Sequence, residues 1–405
     1  MFTILPIKGY IDQIDGFFCD GIHAGLKPNG NNDLGFIYSD KPCTVAAIFT
    51  ENRFQAAPLK HFLQYEENFK TNFVLINSKN ANALTGRKGI ESINTLFSQL
   101  DFNLVNPIMS STGVIGMQLP MDRMCAGIKA LPELLDYTKE AGTLAAEAIM
   151  TTDTVKKQWA VETVLDGKKV TIGGIAKGSG MIHINMGTTL SFVTTDAAIS
   201  SEMLKSALIE AADVSYNMVS VDGDTSTNDT LAIMASGYAG NKEITEKNDD
   251  YKTFTAVLTD AFKKVAKKLA KDGEGATKLL ICKVDGAKDD KSAKIISKSI
   301  ICSSLVKAAM FGADANCGRI LCAIGYSGAE TDVKRIDVSY KSAKGEILVC
   351  KDGNGLVFDE DKAKEILLED EIEILVKLGD GNVSAEAYGC DLTYDYVKIN
   401  GDYRT

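Results

Sequence analysis

The stretch KGSGMIHINMGTTLSFVTTD, which runs from Lys177 to Asp196, carries the pattern that decides between two interpretations of this chain. Apolar side chains alternate up to Met186 and resume at Leu190, which is typical of two strands. Gly187 and two threonines interrupt the pattern. A glycine within a strand usually marks a bulge. The alternative is that the chain is cut at this glycine, so that a threonine becomes a new N-terminus.

Composition narrows the classes of protein to consider. The 405 residues are 45% hydrophobic and 24% charged, with a formal charge of −10, which argues against a nucleic-acid-binding surface. Nine cysteines without a CxxC pair, together with three histidines, predict reduced thiols rather than a zinc site. The first apolar run is too short for a signal peptide, and no later run is long enough for a membrane span. We therefore expect a cytoplasmic enzyme or small-molecule binder without a bound metal.

Periodicity predicts a mixed α/β (α+β) fold with several antiparallel hairpins. The apolar run FVLIN predicts a buried strand at residues 73–77, and Asp166-Gly167 predicts a hairpin turn. Residues 251–271 have the spacing of an amphipathic helix. Polar stretches at 240–250 and 285–294 are candidate boundaries between substructures, and we expect substructures of about 205–285 and 286–405. The chain lacks a dinucleotide fingerprint and a P-loop, so no nucleotide chemistry is indicated.

The small number of histidines limits the choice of nucleophile. A hydrolase of the serine or cysteine type needs a histidine base, and His183, on its alternating stretch, is better explained by a structural role. The loop VDGDTSTND fails the calcium template and predicts a polar turn with Asx hydrogen bonds. A threonine at a free chain terminus needs no histidine, because its own α-amino group, with a pKa of about 8, can serve as the base.

The pair Gly187-Thr188 meets the requirement for making such a terminus. A threonine hydroxyl can attack the preceding carbonyl where a small, permissive residue allows a strained backbone. The turn SSTGVIG offers the Thr112 hydroxyl and backbone N–H groups to an oxyanion. Lys177 and Glu274 could hold the carboxylate and the amino group of an amino acid. Each feature taken alone also fits an ordinary turn, strand or surface charge.

The combination of motifs, over essentially the whole length, resembles the ornithine acetyltransferase family, the glutamate N-acetyltransferases of arginine biosynthesis. The matching motifs stand in order: AAIFTENRFQAAPL, LINSKNANALTG, SSTGVIGMQLP, TTDT, KGSGMIHINMGTTLSFVTTDAA, VDGDTSTNDT, DGEGATK, FGADANCGR and GCDLTYDYVKINGDYRT. The resemblance implies an αββα sandwich, with smaller α/β substructures in the C-terminal half. It also implies self-cleavage between Gly187 and Thr188 into an α chain of residues 1–187 and a β chain of residues 188–405, which usually form an α2β2 assembly.

The resemblance further implies a ping-pong acyltransferase. Thr188 would accept acetyl from N2-acetylornithine and pass it to glutamate, with Thr112 and Gly113 as the oxyanion hole. The implied substrate-binding positions are Thr154, Lys177, Thr188, Glu274, Asn400 and Thr405. No cofactor is implied, and the use of acetyl-CoA as a second donor stays open. A self-processing amidase or aminopeptidase on the same scaffold, which would deliver the acyl group to water, is the alternative.

The sequence departs from the family pattern close to the predicted nucleophile. Gly187 and Thr189 stand where family members usually have Ala and Met, and Lys79 stands where Gly is common. Thr189 adds a second candidate hydroxyl, which the register of the motif ranks below Thr188. We expect Gly187 to permit cleavage, while its rate and the preference for a donor are left open.

Overall fold

The structure is a computed structural model, and it describes residues 5–6, 11, 14–135, 140–183 and 189–402. The chain divides into two compact units, and each is described by itself. Unit 1 takes Met1–Gly178, Ile184–Asp213 and Thr225–Val265, apart from the gaps just given. Unit 2 takes Ser179–His183, Val214–Asp224 and Ala266–Thr405, of which the structure describes residues up to 402.

Strands are numbered in chain order. They are β1 (Leu5–Pro6), β2 (Phe17–Ile22), β3 (Leu34–Phe49), β4 (Lys70–Asn77), β5 (Ile108–Ser111), β6 (Lys157–Leu165), β7 (Lys168–Ala176), β8 (Ile182–His183), β9 (Leu190–Thr195), β10 (Ser220–Thr225), β11 (Thr230–Ala235), β12 (Leu279–Ala287), β13 (Asp337–Ser342), β14 (Gly345–Lys351), β15 (Asn354–Gly355), β16 (Glu371–Lys377) and β17 (Val383–Cys390).

Helices are numbered in the same way. They are α1 (Ala57–Phe62), α2 (Gly86–Gln99), α3 (Met121–Ile128), α4 (Ala141–Ala148), α5 (Ser201–Asp213), α6 (Asp249–Lys271), α7 (Asp290–Cys302), α8 (Ser304–Phe311), α9 (Cys317–Gly325), α10 (Glu360–Leu367) and α11 (Tyr394–Gly401). Short 3-10 helices lie at Leu131–Leu134, Tyr216–Met218 and Val333–Arg335.

Unit 1 contains a nine-stranded sheet in the order β1-β6-β7-β9-β11-β3-β4-β5, with β2 also paired to β3. The long strand β3 organises it, because β2 pairs with the first half of one edge and β11 with the second half of that edge. Beyond β11 in the sheet, β11 and β9 are parallel, whereas β9 and β7 are antiparallel. The predicted nucleophile therefore precedes a strand in the middle of this sheet.

Both faces of the sheet in unit 1 are buried. One face of β3, β4 and β5 carries Phe36, Phe73 and Met109 against α2 and α3. The opposite face shares one core with β7, β9 and β11, including Phe192. Beyond those strands, the Trp159 ring of β6 lies edge-on to a phenylalanine of α6, with ring centroids 6.2 Å apart. The order of layers is helix, strand, strand, helix, so the expected αββα sandwich is confirmed.

Unit 2 contains a six-stranded sheet in the order β15-β14-β13-β16-β12-β17. The pair β12 and β16 is parallel, and the other pairs are antiparallel. Helix α7 packs across β12 and β17 and buries Ile296 and Ile300. A separate pair, β8 with β10, also belongs largely to this unit. This is the smaller α/β substructure expected in the C-terminal half.

Several predicted elements are confirmed. The FVLIN run lies in β4, and the hairpin of β6 and β7 turns at Asp166-Gly167, where both residues have positive φ. The amphipathic pattern of residues 251–271 lies within α6, which begins at Asp249. The divisions at 187/188 and at about 205–285 and 286–405 stay predictions. Within the described ranges, no helix is both long enough and apolar enough to cross a membrane.

Candidate active site

The predicted cleavage site, Gly187-Thr188, and the C-terminal Thr405 lie outside the described residues. The description resumes at Thr189, directly before β9. Thr189 is only 3% exposed, and its hydroxyl lies 3.5 Å from the carbonyl oxygen of Leu190. Its own carbonyl accepts the N–H of Thr230 at 3.1 Å. A hydroxyl buried against the backbone in this way is poorly placed to attack a substrate, which favours Thr188 over Thr189.

The predicted oxyanion turn follows β5 and packs tightly on the loop after β4. Gly113 has a φ of +131°, and a Cβ there would lie 2.2 Å from the carbonyl carbon of Lys79. Only glycine fits, both for its φ and for this close approach. The N–H of Thr112 donates to Asn77 at 3.0 Å. Lys79 itself has a φ of +71°, a conformation that glycine adopts more readily than lysine.

Buried amides hold this turn in place. The Ser111 hydroxyl donates to the Asn77 side chain at 2.7 Å. Asn228 donates from Nδ2 to the carbonyl oxygens of Ala81 and Ser111 at 2.6 and 2.8 Å. Asn228 therefore joins the loop after β4 to the start of the oxyanion turn. An asparagine in a polar turn is ordinary, so this role was not predictable from the sequence pattern.

Lys177 lies at the end of β7 and is brought to the oxyanion turn. Its N–H donates to the carbonyl of Leu190 at 2.9 Å, which continues the pairing of β7 with β9. Its Nζ donates to the Thr112 hydroxyl at 3.5 Å. The residue is 6% exposed, so its cation is largely desolvated. The structure thus brings together Lys177, Thr112 and the start of β9.

Thr154 is exposed and follows a buried carboxylate, Asp153. The Asp153 carboxylate accepts the N–H of Gly178 at 2.7 Å, which ties the TTDT segment to the residue after Lys177. It also accepts from the Nζ of Lys157 at 2.7 Å. Within unit 1, Lys177 therefore contacts Thr112, and the residue before Thr154 is hydrogen-bonded to the residue after Lys177. Asp153 was not singled out by the sequence.

Glu274 and Asn400 are brought together within unit 2. The Nδ2 of Asn400 donates to Oε2 of Glu274 at 2.7 Å. The N–H of Glu274 donates to the carbonyl of Ser179 at 3.2 Å, and its carboxylate lies directly over Gly180. A Cβ on Gly180 would lie 2.3 Å from Oε2, so this position has no room for a side chain. Glu274 is 6% exposed.

His183 belongs to a different cluster in unit 2. Its Nδ1 lies 3.2 Å from the Ser220 hydroxyl and 3.5 Å from the Cys302 sulfur. Burial lowers the pKa of His183 to about 4; Lys298 adds to this effect and Asp222 opposes it. The imidazole is therefore neutral near pH 7 and fixed by neighbouring side chains, which is the structural role expected from the sequence.

Asp222 forms the polar turn that the sequence predicted and has a second role as well. Its Oδ1 accepts the N–H of Asp224 at 3.1 Å, which is an Asx hydrogen bond. The same carboxylate accepts the N–H groups of Met181 and Ile182 at 2.7 and 2.9 Å. Ser179 and Met181 both have positive φ, 94° and 55°. Asp222 thus fixes a strained segment that leads toward residues 184–188.

The described residues contain no group of histidine, cysteine, aspartate and glutamate side chains that could hold a metal ion. All nine cysteines lie in the described ranges and are free thiols. Unit 1 therefore holds an oxyanion turn beside a buried lysine, and unit 2, taken by itself, holds a buried carboxylate that an amide contacts.

Comparison with known proteins gives the family. The model of the ArgJ family matches residues 18–405. The chain is similar to the arginine biosynthesis bifunctional protein ArgJ 1 of Clostridium acetobutylicum, with 47% identity over 98% of this chain and 97% of that protein. It is 45% identical to the ArgJ protein of Bacillus subtilis over 99% of this chain and 98% of that one.

A crystal structure of the Bacillus halodurans ArgJ protein is 46% identical, covers 52% of this chain and 97% of its own, and aligns with a TM-score of 0.49. The family match spans the oxyanion turn, the segment around Lys177 and the Glu274 loop. With near-complete relatives at 47% identity, this chain belongs to the ArgJ family.

Proposed function

We propose that this chain transfers the acetyl group of N2-acetylornithine to glutamate through an acetyl ester on Thr188. Family membership and relatives named as arginine biosynthesis bifunctional proteins support this function. The observation in the structure that best supports it is the contact between the Nζ of Lys177 and the Thr112 hydroxyl, beside the start of β9. A fixed cation next to an oxyanion turn suits an amide substrate that carries a carboxylate.

Cleavage before Thr188 frees an α-amino group, which takes the proton of the Thr188 hydroxyl as Oγ attacks the acetyl carbonyl carbon. The carbonyl oxygen becomes an oxyanion, which the Thr112 hydroxyl and the Gly113 N–H stabilise. The carbon–nitrogen bond then breaks, and ornithine leaves with the proton. The acetyl group stays on Oγ of Thr188.

The second half reverses these steps with a new amine. The α-amino group of glutamate attacks the ester carbonyl, the same oxyanion turn stabilises the intermediate, and the proton returns to Oγ of Thr188. Lys177 holds the α-carboxylate common to both substrates, while Glu274, with Asn400, accepts an amino group. Thr154 and Thr405 complete the proposed substrate-binding set.

Three further points belong to the proposal. Acetyl recycling from N2-acetylornithine is the primary reaction, and an assay of glutamate acetylation by acetyl-CoA will show whether the enzyme has a second donor. The α and β chains stay together as an α2β2 assembly, which sedimentation of the cleaved enzyme will test. The protein acts in the cytoplasm and needs no metal or cofactor.

The decisive experiment compares wild type, Thr188→Ala and Thr189→Val. Wild type should give two fragments, the second beginning Thr-Thr-Leu-Ser-Phe, and should gain the mass of one acetyl group on that fragment with N2-acetylornithine. Thr188→Ala should stay a single chain without transfer. Thr189→Val, which removes the buried neighbouring hydroxyl at similar volume, should still be cut and acetylated.

The same assay separates transfer from hydrolysis. Wild type should release ornithine continuously only when glutamate is present. Continuous ornithine release without glutamate would identify an amidase instead. A stable, uncut wild-type chain with full activity would contradict the terminal-amine mechanism.

A further inference from the structure

A buried carboxylate lies among cations in unit 1, beside the proposed substrate-binding lysine. The Asp153 side chain is 0% exposed. Its Oδ1 accepts from the Nζ of Lys157 and from the N–H of Gly178, both at 2.7 Å, and its Oδ2 accepts the N–H of Thr151 at 3.2 Å. Its hydrogen bonds therefore come from its own segment and from the segment of Lys177.

Electrostatics keep this carboxylate ionised. Burial raises the pKa of Asp153, but the Lys177 ammonium, then Lys157 and the Gly178 N–H, more than offset burial, so its pKa lies below its usual value. Lys157 acts through direct contact, with its Nζ 2.7 Å from Oδ1, whereas Lys177 acts through its charge. The Lys177 ammonium is therefore paired electrostatically with Asp153 inside the unit.

The same contacts fix the backbone of Lys177 from two sides. Its own N–H donates to the carbonyl of Leu190 at 2.9 Å. The next N–H along the chain, that of Gly178, donates to Asp153. With the backbone held at both ends, the side chain reaches the Thr112 hydroxyl, where its Nζ lies 3.5 Å from Oγ1. A displacement of about 1 Å in a substrate-holding group can cost a factor of about 100 in rate.

We propose that Asp153 is the positioning residue for Lys177, holding both the Lys177–Gly178 peptide and the ammonium in the geometry that receives the substrate α-carboxylate. This inference rests on the proposed function, in which Lys177 binds that carboxylate. Asp153 does not touch the substrate. Lys157 supplies the second cation that keeps Asp153 charged when Lys177 turns to the substrate.

Two variants separate the charge of Asp153 from its shape. Asp153→Asn keeps an acceptor for the Gly178 N–H but removes the charge, whereas Asp153→Ala removes both. Glu147→Gln is the matched control, because Glu147 is a half-exposed carboxylate on α4 that pairs with the exposed Lys156. Steady-state kinetics for N2-acetylornithine and glutamate, calorimetric binding of glutamate, and thermal unfolding are measured for each protein.

Asp153→Asn should weaken glutamate binding and raise KM for both substrates by about tenfold, since a charged partner of a substrate-holding group is lost. Asp153→Ala should in addition lower kcat by about tenfold, because the Lys177–Gly178 peptide loses its anchor. Glu147→Gln should bind and react like wild type. A purely structural carboxylate would change the unfolding temperature while leaving the KM values of the folded enzyme unchanged, which would overturn the proposal.

Removing one partner of a buried ion pair can prevent folding. The double variant Asp153→Asn/Lys157→Met removes both charges, so it should fold while the KM values stay raised. Wild-type KM values in a folded double variant would also overturn the positioning role.

Glutamate binding distinguishes this proposal from the proposed function. If wild type binds glutamate in an Asp153-dependent way without transferring acetyl, the positioning role stands and the proposed reaction fails. If wild type transfers acetyl and the Asp153 variants do so equally well, only the positioning role fails. If wild type neither binds glutamate nor transfers acetyl, both fail.

Discussion

The two clusters of predicted site residues handle charge in opposite ways. In unit 1, the cation of Lys177 is largely desolvated and acts electrostatically on the buried Asp153 carboxylate, which Lys157 contacts directly. In unit 2, the buried Glu274 carboxylate is held by a neutral amide, that of Asn400. A buried cation needs a counterion, whereas a carboxylate that contacts only a neutral amide can still form an ion pair with an incoming amino group.

The largest effects should come from removing each charge in turn. Lys177→Met and Glu274→Gln should each lower kcat/KM, with a loss of about 2–4 kcal/mol of transition-state stabilisation. Each variant removes a desolvated partner of a substrate charge. Lys177→Met should affect N2-acetylornithine and glutamate equally, because both carry an α-carboxylate. Glu274→Gln should affect them unequally, because their amino groups differ.

Kinetics of both half-reactions will test this division of roles, with thermal unfolding as the control for folding. If both variants lowered kcat/KM by the same factor for both substrates, the two clusters would not have the different roles inferred above.

A smaller effect should follow from moving the Glu274 carboxylate without removing its charge. The Cβ of a Gly180→Ala variant would lie 2.3 and 2.5 Å from the two carboxylate oxygens, so the carboxylate must shift. We expect KM to rise by about tenfold, consistent with the loss of one good charge-assisted hydrogen bond.

Gly325→Ala is the matched control, because a Cβ at that helical position meets no atom within 4 Å. Steady-state assays of both variants will show whether the position of Glu274 matters apart from its charge. If Gly180→Ala had the KM of wild type, the exact position of the Glu274 carboxylate would not matter for substrate binding.

Loss of the Asp222 anchor should slow self-cleavage and leave substrate binding by the cleaved enzyme unchanged. Asp222→Asn keeps one acceptor for the N–H groups of Met181 and Ile182 but loses the charged pair of hydrogen bonds. The strained segment before residues 184–188 should then relax, with cleavage about fivefold slower for a loss of about 1 kcal/mol. The fraction of cut chain over time on a denaturing gel measures this, and the exposed Asp224→Asn serves as the control.

Local patterns predicted the elements of the fold that local forces determine. The run FVLIN, the turn at Asp166-Gly167 and the spacing of residues 251–271 each report a periodicity or a turn preference within one segment. The position of the sheet's strands relative to one another depends on pairings such as β11 with β3, nearly two hundred residues apart along the chain. The layered αββα arrangement came from the family resemblance.

In the candidate site, too, contacts between residues distant in sequence were harder to predict than local features. Thr112 and Lys177 were predicted, and the structure brings them within 3.5 Å. Asp153 and Asn228 were missed, because their partners are distant in sequence and an aspartate or asparagine in a polar turn is ordinary. Asp222 was predicted only as a turn residue, since its hydrogen bonds to Met181 and Ile182 cross about forty positions.

The smallest expected effect concerns pH and the cations of unit 1. Burial lowers the pKa of Lys27 to about 8; Asp33, Asp153 and Glu147 oppose this effect, and Lys177 adds to it. As pH rises through 8, Lys27 loses its proton. The cationic cluster of Lys27, Lys157 and Lys177 then attracts substrate carboxylates less strongly. Lys27→Arg keeps its charge throughout this range, because the guanidinium does not titrate there.

The ratio of kcat/KM for wild type to that for Lys27→Arg should therefore be constant below pH 7. It should fall by about twofold between pH 7 and 9, because the loss of one charge without direct contact costs about 0.4 kcal/mol in a hydrated site. Titration of the Thr188 α-amino group, expected at about pH 8, is common to both proteins and cancels in the ratio. A ratio that does not change with pH would show that Lys27 lies outside the field felt by the substrate, and the cationic cluster would then be limited to Lys177 and Lys157 around Asp153.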